Sequence, residues 1–145
     1  MNHYLPPGLP APKLVEPELE KPYWDAARSG HIVVQRCRAC QTWQWGPEWI
    51  CHSCLSEDLT WAEVPPRGRI YSWERIWHAA HPALQGHAPY LAVLVEVPEC
   101  GAVRLVGNLL GDPMQEVRIG AEVEAVFEAH DEADPPYTLI QWRVI

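Results

Sequence analysis

Two short cysteine motifs, CRAC at residues 37–40 and CHSC at residues 51–54, decide the fold of this chain. Each motif is Cys-x2-Cys, and ten residues separate the two. Two intervening residues allow a tight turn to direct both sulfurs toward one point. Two such turns provide a tetrahedron of thiolates, which suits Zn²⁺ with Zn–S bonds of ~2.3 Å. The predicted ligands of a structural zinc ion are Cys37, Cys40, Cys51 and Cys54.

Other uses of paired cysteines fit the sequence less well. The first residues lack the charged start and apolar segment of a secretory signal, so a cytoplasmic location with reduced thiols is expected rather than disulfides. A redox Cys-x2-Cys would be a single pair beside a strand–helix–strand pattern, which is not evident here. Iron remains an alternative to zinc because four thiolates also bind iron. Four cysteine ligands leave no open coordination position, so a catalytic metal is not expected.

Charge and composition limit the possible partners. The chain has 145 residues and a net charge of −8, and 48% of its residues are hydrophobic. Residues 71–145 contain four Lys or Arg against eleven Asp or Glu, so the second half carries most of this charge. Nucleic-acid binding requires clusters of basic residues, and a membrane helix requires ~18–20 consecutive apolar residues. The sequence therefore predicts neither a nucleic-acid partner nor a membrane partner.

The first part of the chain is divided by proline and glycine. Six prolines in the first 22 residues indicate an extended arm over residues 1–21. A short helix is predicted over residues 22–31, because Pro22 suits the first turn and Gly30 suits the residue after the end. Strands at residues 32–35 and 42–45 would flank the first cysteine motif. Residues 22–66 are thus interpreted as a helix and zinc ribbon, too small to fold without metal.

Residues 67–145 have a different character, with strand patterns separated by glycines. In the predicted strand at residues 122–128, Val123, Ala125 and Phe127 lie on one face because side chains alternate along a strand. Five strands of this spacing suit a small closed barrel of the OB type, and an open sandwich is the alternative. The predicted strands are residues 68–77, 90–97, 102–110, 122–128 and 137–144. The predicted fold class is therefore mainly β, with an N-terminal helix and zinc ribbon before a five-stranded barrel.

The order of these features resembles a known family. A helix with Tyr-Trp precedes the two cysteine motifs, and these are followed by Trp61, the segment GRIYS at 68–72, and the strand LAVLVE at 91–96. The chain resembles, over about residues 22–145, the acyl-CoA-associated OB-fold proteins first catalogued as domain of unknown function number thirty-five. That resemblance implies a rubredoxin-like zinc ribbon followed by an OB-fold. One departure is Gln41, where many members have glycine after the second cysteine.

The resemblance also implies a role. Family members are accessory subunits of thiolase-fold enzymes, including thiolases, hydroxymethylglutaryl-CoA synthase and aldolases that cleave side chains of steroid acyl-CoA esters. The partner carries the catalytic residues, and the zinc-ribbon and OB protein acts as a scaffold that in places shapes the acyl-CoA channel. We therefore expect a non-catalytic subunit of a hetero-oligomer, with acyl-CoA near the interface.

Several barrel residues are candidates for contacts with the partner or with CoA. Two arginines flank Gly68, and they are expected either to meet CoA phosphates or to pair with nearby acids. Strict alternation places Trp73 and Trp77 on one face with Tyr71, opposite Ile70 and Ile76. This would leave aromatic surface for a subunit to cover, or for the ribbon or the N-terminal helix of the chain itself. The predicted contact residues are Arg67, Arg69, Trp73, Trp77, His78, His81 and Tyr90.

Two alternative functions remain at this stage. Three histidines in the loop between the first two barrel strands, His78, His81 and His87, could serve a stand-alone acyl-CoA hydratase or thioesterase as a general base. Their spacing fits no common metal pattern. A nucleic-acid-binding OB module is the other alternative, and the net charge argues against it. Cys100 stands alone and is interpreted as a turn residue.

Overall fold

The computed structural model describes residues 3–145, and its regular elements begin with a helix that precedes two β-sheets. Met1 and Asn2, the first residues of the predicted arm, lie outside the described residues. Residues 3–14 contain no helix or strand, and the last five residues of the predicted arm, 17–21, belong to a helix.

Helix α1 spans Pro17–Arg28, so it begins five residues earlier than predicted. Pro17 occupies the first turn, which proline tolerates because its missing N–H needs no partner there. The Glu20 carboxylate accepts hydrogen bonds from the amides of Val15 and Glu16 at 3.2 and 3.1 Å, and this stabilises the earlier start. Pro22 therefore lies inside the helix rather than at its beginning. After the helix, Gly30 adopts a φ of +79°, as its predicted role requires.

The ribbon is a three-stranded antiparallel sheet with the order β2-β1-β3. Its strands are β1 at Ile32–Cys37, β2 at Trp43–Gln44 and β3 at Leu59–Val64. The first two correspond to the predicted strands. Strand β3 was not predicted, and it pairs with β1 along its whole length, from Ile32 opposite Val64 to Cys37 opposite Leu59. It returns the chain from the second cysteine motif to the barrel.

The second sheet is a five-stranded, nearly closed barrel with the strand order β6-β5-β4-β7-β8. An isolated parallel bridge between Leu109 and Trp142, and a 2.8 Å hydrogen bond from Leu110 N to Trp142 O, bring the two outer strands together. This arrangement confirms the predicted OB-type barrel. The barrel strands are β4 at Arg67–Ile76, β5 at Tyr90–Val97, β6 at Val103–Asn108, β7 at Glu122–His130 and β8 at Tyr137–Val144.

Gly107 allows the barrel to close. A Cβ at this position would lie 2.6 Å from the carbonyl oxygen of Ile140 and 2.8 Å from Cδ1 of Trp142. Both neighbours belong to β8, and Trp142 is completely buried. A side chain on Gly107 would therefore push β6 away from β8 at the seam of the barrel.

A β-bulge in β4 contradicts the predicted placement of the tryptophans. The pairing with β5 skips Tyr71, so the alternation of side chains changes phase at this residue. As a result Trp73 lies on the same face as Ile70 and packs against the core, while Tyr71 is exposed. The prediction that Trp73 shares a face with Tyr71 opposite Ile70 is therefore wrong. Trp77, just after the strand, is 63% exposed.

One hydrophobic core joins the ribbon to the barrel. Ile32, Val34 and Val64 of the ribbon belong to the same buried cluster as the barrel side chains. Strand β3 continues into β4 through Pro65 and Pro66, and the carbonyl oxygen of Pro66 accepts a 2.8 Å hydrogen bond from Ala125 N of β7. Helix α1 packs on β1, β7 and β8, so it also contacts both halves. Among residues 3–145, no helix is long and apolar enough to cross a membrane.

Candidate metal centre and contact surface

The four predicted ligands meet at the tip of the ribbon. Their sulfur atoms all lie within 4.8 Å of one another. Cys37 Sγ is 3.6 Å from Cys54 Sγ, and Cys40 Sγ is 3.6 Å from Cys51 Sγ, so each contact joins one motif to the other. A regular tetrahedron with Zn–S bonds of ~2.3 Å has sulfurs ~3.8 Å apart. The spacing of the four sulfurs therefore fits a tetrahedral metal ion.

The two cysteine motifs have the same backbone design. In each, the amide after the second cysteine donates to the carbonyl of the first, from Gln41 to Cys37 and from Leu55 to Cys51, both at 2.9 Å. Gln41 and Leu55 have φ values of +66° and +63°, in the left-handed region where glycine is favoured. The Gln41 side chain donates a 3.0 Å hydrogen bond to Arg38 O, which helps to hold this turn. The departure from glycine thus leaves the ligand geometry intact.

Two buried glutamines fix the segment between the motifs. Gln35 of β1 exchanges hydrogen bonds with the backbone of Glu48, at 3.0 and 2.9 Å. Gln44 of β2 donates to Gln35 Oε1 and to Ile50 O, and its own Oε1 accepts the amide of His52. Both side chains are at least 97% buried. They hold the second motif against the sheet, and sequence inspection missed them because isolated glutamines carry no recognisable pattern.

The four sulfurs differ in acidity in the absence of a cation. The hydroxyl of Thr42, 3.1 Å from Cys40 Sγ, and the Thr42 backbone lower the pKa of Cys40 to about 6. The amide of Ser56 lowers the pKa of Cys54, but desolvation and the neighbouring cysteines outweigh it and raise this pKa to about 12. The cluster therefore does not readily hold four thiolates by itself, and a metal ion would supply the missing positive charge.

Arg67 and Arg69 lie at the beginning of β4 beside a cavity of about 400 Å³. Arg69 donates to Glu96 Oε1 at 3.0 and 3.3 Å, and Arg104 approaches the other oxygen at 3.5 Å. The Arg69 hydrogen bonds lower the pKa of Glu96 below its usual range, with a further contribution from Arg104 and against an opposing desolvation. Arg67 has no side-chain hydrogen bond within residues 3–145 and is exposed.

Apart from Trp73, which lies mid-strand and packs against the core, the other predicted contact residues lie at the far end of β4. Trp77, His78 and His81 are exposed, and Tyr90 is half-buried at the start of β5. At ~3.3 Å per residue, the eight residues from Arg69 to Trp77 separate the two groups by roughly 25 Å. The structure therefore divides the predicted contact residues into two groups. His81 Nδ1 accepts the amide of Ala83 at 3.1 Å.

The outer face of β4, β5 and β6 connects these two groups. Ser72, Leu94 and Val106 are cross-strand neighbours on this face, and they border a shallow groove of about 330 Å³. Val106 is 68% exposed. Tyr71 is fixed by the Arg104 guanidinium, which lies 3.6 Å from the centroid of its ring. Sequence reasoning missed Leu94 and Val106, because alternation alone does not show which face of a barrel strand is covered.

Cys100 does not join the metal cluster. It ends a short 3-10 helix at Pro98–Cys100 and is buried. Burial raises the pKa of the Cys100 thiol, with the charge of Glu99 adding to the effect. A buried thiol with a raised pKa is a poor nucleophile, in agreement with its interpretation as a turn residue.

Two family models match consecutive parts of the chain. Residues 24–60 match the rubredoxin-like zinc ribbon domain of ChsH2, and residues 61–128 match the C-terminal OB-fold domain of ChsH2. The first match contains all four cysteines. The site geometry and the family thus agree on a metal-binding ribbon.

Curated relatives extend this similarity. The chain is 36% identical over 121 residues to a probable enoyl-CoA hydratase alpha subunit of Thermomonospora curvata. That alignment covers 83% of this chain but only 36% of the relative. The chain is also 28% identical over 97 residues to a DUF35 domain-containing scaffold protein of Methanocaldococcus jannaschii, covering 66% of this chain and 67% of the relative.

Two solved structures have the same fold as this chain. One chain of a structure described as the Ltp2-ChsH2(DUF35) aldolase is 34% identical with a TM-score of 0.76, and the match covers 92% of this chain and 98% of that one. A DUF35 protein of unknown function from Sulfolobus solfataricus, 13% identical with a TM-score of 0.58, shares the fold over 86% of this chain and 84% of its own. The chain therefore belongs to the ChsH2 (DUF35) family of zinc-ribbon and OB-fold proteins.

Proposed function

We propose that this chain is a non-catalytic, zinc-binding accessory subunit of an acyl-CoA aldolase whose catalytic partner has the thiolase fold. The observation that carries the proposal is the 34% identity to one chain of a structure described as an aldolase, in a match that covers 92% of this chain and 98% of that one. The scaffold name of the archaeal relative supports the same role. In this role the four cysteines hold a structural zinc ion, and side-chain degradation of a steroid or fatty acyl-CoA is the proposed process.

The proposed contact surface is the outer face of β4, β5 and β6. Its apolar centre consists of the exposed Val106 and the half-buried Leu94, and Tyr71 lies beside it under Arg104. Exposed apolar and aromatic side chains of this kind are features of surfaces that proteins cover. Arg67 and Arg69 frame one end, and we propose that Arg67 meets CoA phosphate near the interface, because Arg69 is already occupied by Glu96. Trp77 and His78 frame the other end, close to His81 and Tyr90.

Co-expression tests the proposal. Proteins encoded by the genes adjacent to that of this chain are examined for a thiolase-fold candidate. This candidate is produced alone and together with the chain, and complex formation, stability and retro-aldol cleavage of acyl-CoA are measured. We expect the partner to be active and stable only in the complex. A partner that is equally stable and active alone would refute the accessory role.

A pair of surface variants tests the location of the interface. Val106→Glu places a charge at the centre of the proposed surface and should weaken the complex. Ile119→Glu is the matched control, because this side chain is also exposed, at 63%, and lies in the loop before β7. The proposed surface would be contradicted if both variants weakened the complex equally, or if neither variant weakened it.

The curated hydratase relative favours a second candidate, in which the chain itself acts on acyl-CoA through the loop histidines His78, His81 and His87. All three are exposed, as access to substrate would require. Hydration or hydrolysis of acyl-CoA by the pure chain, lost when all three are changed to alanine, would establish this function. The accessory role predicts no turnover by the pure chain.

A further inference from the structure

A second group of metal-binding side chains lies where the N-terminal arm crosses the barrel. The ring of His3 stacks on that of His130 at the end of β7, with 3.8 Å between centroids, and His130 stacks in turn on Tyr137 of β8 at 4.5 Å. The next amide of the arm, Tyr4 N, donates to Glu128 Oε2 at 3.0 Å. These contacts bring the start of the described chain against residues more than a hundred positions away.

In both histidine rings a hydrogen bond uses Nε2 and leaves Nδ1 as the nitrogen that could bind a metal. His3 Nε2 lies 3.0 Å from the carbonyl oxygen of Ala129, which can only accept, so Nε2 carries the proton. His130 Nε2 lies 2.8 Å from Glu128 Oε1, and an ionised carboxylate also only accepts. In neutral rings both Nδ1 atoms therefore carry a lone pair. Both face one oxygen of Glu132, at 3.8 Å from His3 and 3.5 Å from His130.

This arrangement has the parts of a metal site. The three donor groups, two imidazole nitrogens and a carboxylate oxygen, can lie within 4.8 Å of one another. In metal sites, a histidine ligand donates its other N–H to a carboxylate or backbone carbonyl, which fixes the ring and its tautomer. Glu128, with its side chain 7% exposed, and Ala129 O take these two positions. Two His and one acidic ligand suit Zn²⁺ and other divalent transition metals.

We propose that His3 Nδ1, His130 Nδ1 and Glu132 bind a divalent transition metal ion, with Zn²⁺ the favoured ion, and that this ion fastens the N-terminal arm to the barrel. The nitrogen lone pair that binds a metal lies in the plane of the imidazole, whereas these two rings are stacked with only 25° between their planes. Binding therefore requires the ring planes to turn apart about their Nε2 hydrogen bonds, which the proposal retains. His3, His130 and Glu132 line a cavity of about 530 Å³ that the arm forms with β7 and β8, and water in this cavity could complete the coordination.

Metal titration of the full, untagged chain tests this site. The thiolate-bound metal is left in place, weakly held metal is removed with a mild chelator, and Zn²⁺ alone is added while heat is measured. We expect one further equivalent to bind. Glu132→Gln and His130→Gln should abolish it, and Glu128→Gln should weaken it about 10- to 100-fold. Glu132 is 67% exposed, so its replacement leaves the fold intact.

The matched control is His31→Gln. His31 also pairs with a carboxylate, Glu63, at 2.9 Å, but lies on the exposed ribbon surface. This variant should bind the further equivalent like the unmodified chain. As a structural readout, Zn²⁺ should shift the ring resonances of His3 and His130 and slow hydrogen exchange at the Tyr4 amide.

Three titration results would overturn the proposal: no further equivalent in the unmodified chain, an equivalent that survives in His130→Gln and Glu132→Gln, or one that is lost in His31→Gln. Protection of the Tyr4 amide on acidification, without any response to Zn²⁺, would also overturn it. That result would identify the group as a charged histidine–glutamate contact rather than a metal site.

Discussion

The tip of the ribbon and the barrel differ in what lies at their centres. At the tip, over residues 37–58, the buried side chains are two cysteines and Gln44, surrounded by hydrogen bonds to backbone. At the centre of the barrel lie tightly packed aliphatic side chains and Trp142. The chain therefore brings together four sulfurs suited to a metal ion where it has few apolar residues, and it relies on hydrophobic burial where it has many.

The largest expected effect comes from removing a metal ligand. Cys37→Ser should abolish tight metal binding and unfold the ribbon tip, because structural zinc contributes on the order of 10–16 kcal/mol to such a site. Elemental analysis should find about one tightly bound zinc per unmodified chain and none in the variant. Hydrogen exchange should show opening of residues 37–58 while the barrel strands stay protected.

Cys100→Ser provides the control for that experiment, since Cys100 is buried but is not a ligand. It should lower the stability of the barrel and leave the tight metal content unchanged. Normal metal content in Cys37→Ser would contradict the ligand assignment and the contrast between the two regions.

The barrel should respond most strongly at its seam. Gly107→Ala is expected to lower the free energy of unfolding by about 3 kcal/mol, because the new Cβ meets the backbone of β8 rather than a flexible side chain. Urea unfolding followed by circular dichroism measures the change. The neighbouring exposed residue gives the control, and Val106→Ala should cost less than about 0.5 kcal/mol.

The switch in side-chain alternation at the β-bulge predicts that two aromatic substitutions in β4 lower the free energy of unfolding by unequal amounts. Trp73→Ala should cost about 2 kcal/mol, less than a fully buried tryptophan, because it is half-buried against the core. Tyr71→Ala should cost about 1 kcal/mol or less, mostly from the lost contact with Arg104. Equal costs in urea unfolding would mean that the bulge does not separate the two side chains.

The smallest expected effect is the pH-dependent contribution of Glu96 to the free energy of unfolding. Because the folded pKa of Glu96 is depressed below the unfolded value of ~4.3, its contribution to stability is complete above that pH. It is lost as the pH falls through the folded pKa. Glu96→Gln should therefore be less stable than the unmodified chain at pH 7, and the difference should shrink toward pH 3 in urea midpoints.

Glu116→Gln is the matched control for this titration. Its carboxylate also has a depressed pKa because Arg118 donates to it, but both side chains are more than 70% exposed. Water screens such a pair, so its substitution should change the pH profile far less. If both variants changed the pH dependence of the urea midpoint by a similar amount, the burial of Glu96 would not contribute to that dependence.

Sequence patterns predicted the features that local spacing determines. The cysteine motifs bring their ligands together through turns of four residues, and the barrel strands from Tyr90 to Val97 and from Tyr137 to Val144 coincide with the predicted ranges. The helix start was wrong because Pro17 and Pro22 both satisfy the rule for a first turn. The Glu20 side chain, which stabilises the earlier start, is recognised only in three dimensions.

Features that depend on contacts between distant residues were not predictable. A bulge at Tyr71 is created by the pairing with β5, and alternation within β4 does not reveal it. The group of His3, His130 and Glu132 arises because the arm crosses the barrel. The division at residues 21/22 and 66/67 remains a prediction, and the helix that joins both halves crosses the first of these boundaries.

The junction at Pro65 and Pro66 has a consequence for association with a partner. Two consecutive prolines restrict the backbone at this junction. The shared core and helix α1 contact both the ribbon and the barrel, so they fix the orientation of the ribbon relative to the barrel. A two-part protein joined by a flexible linker would lose orientational freedom on binding, whereas this chain has already lost it on folding. Docking of the barrel therefore positions the ribbon at no further entropic cost, and a tight complex becomes possible with a modest contact area.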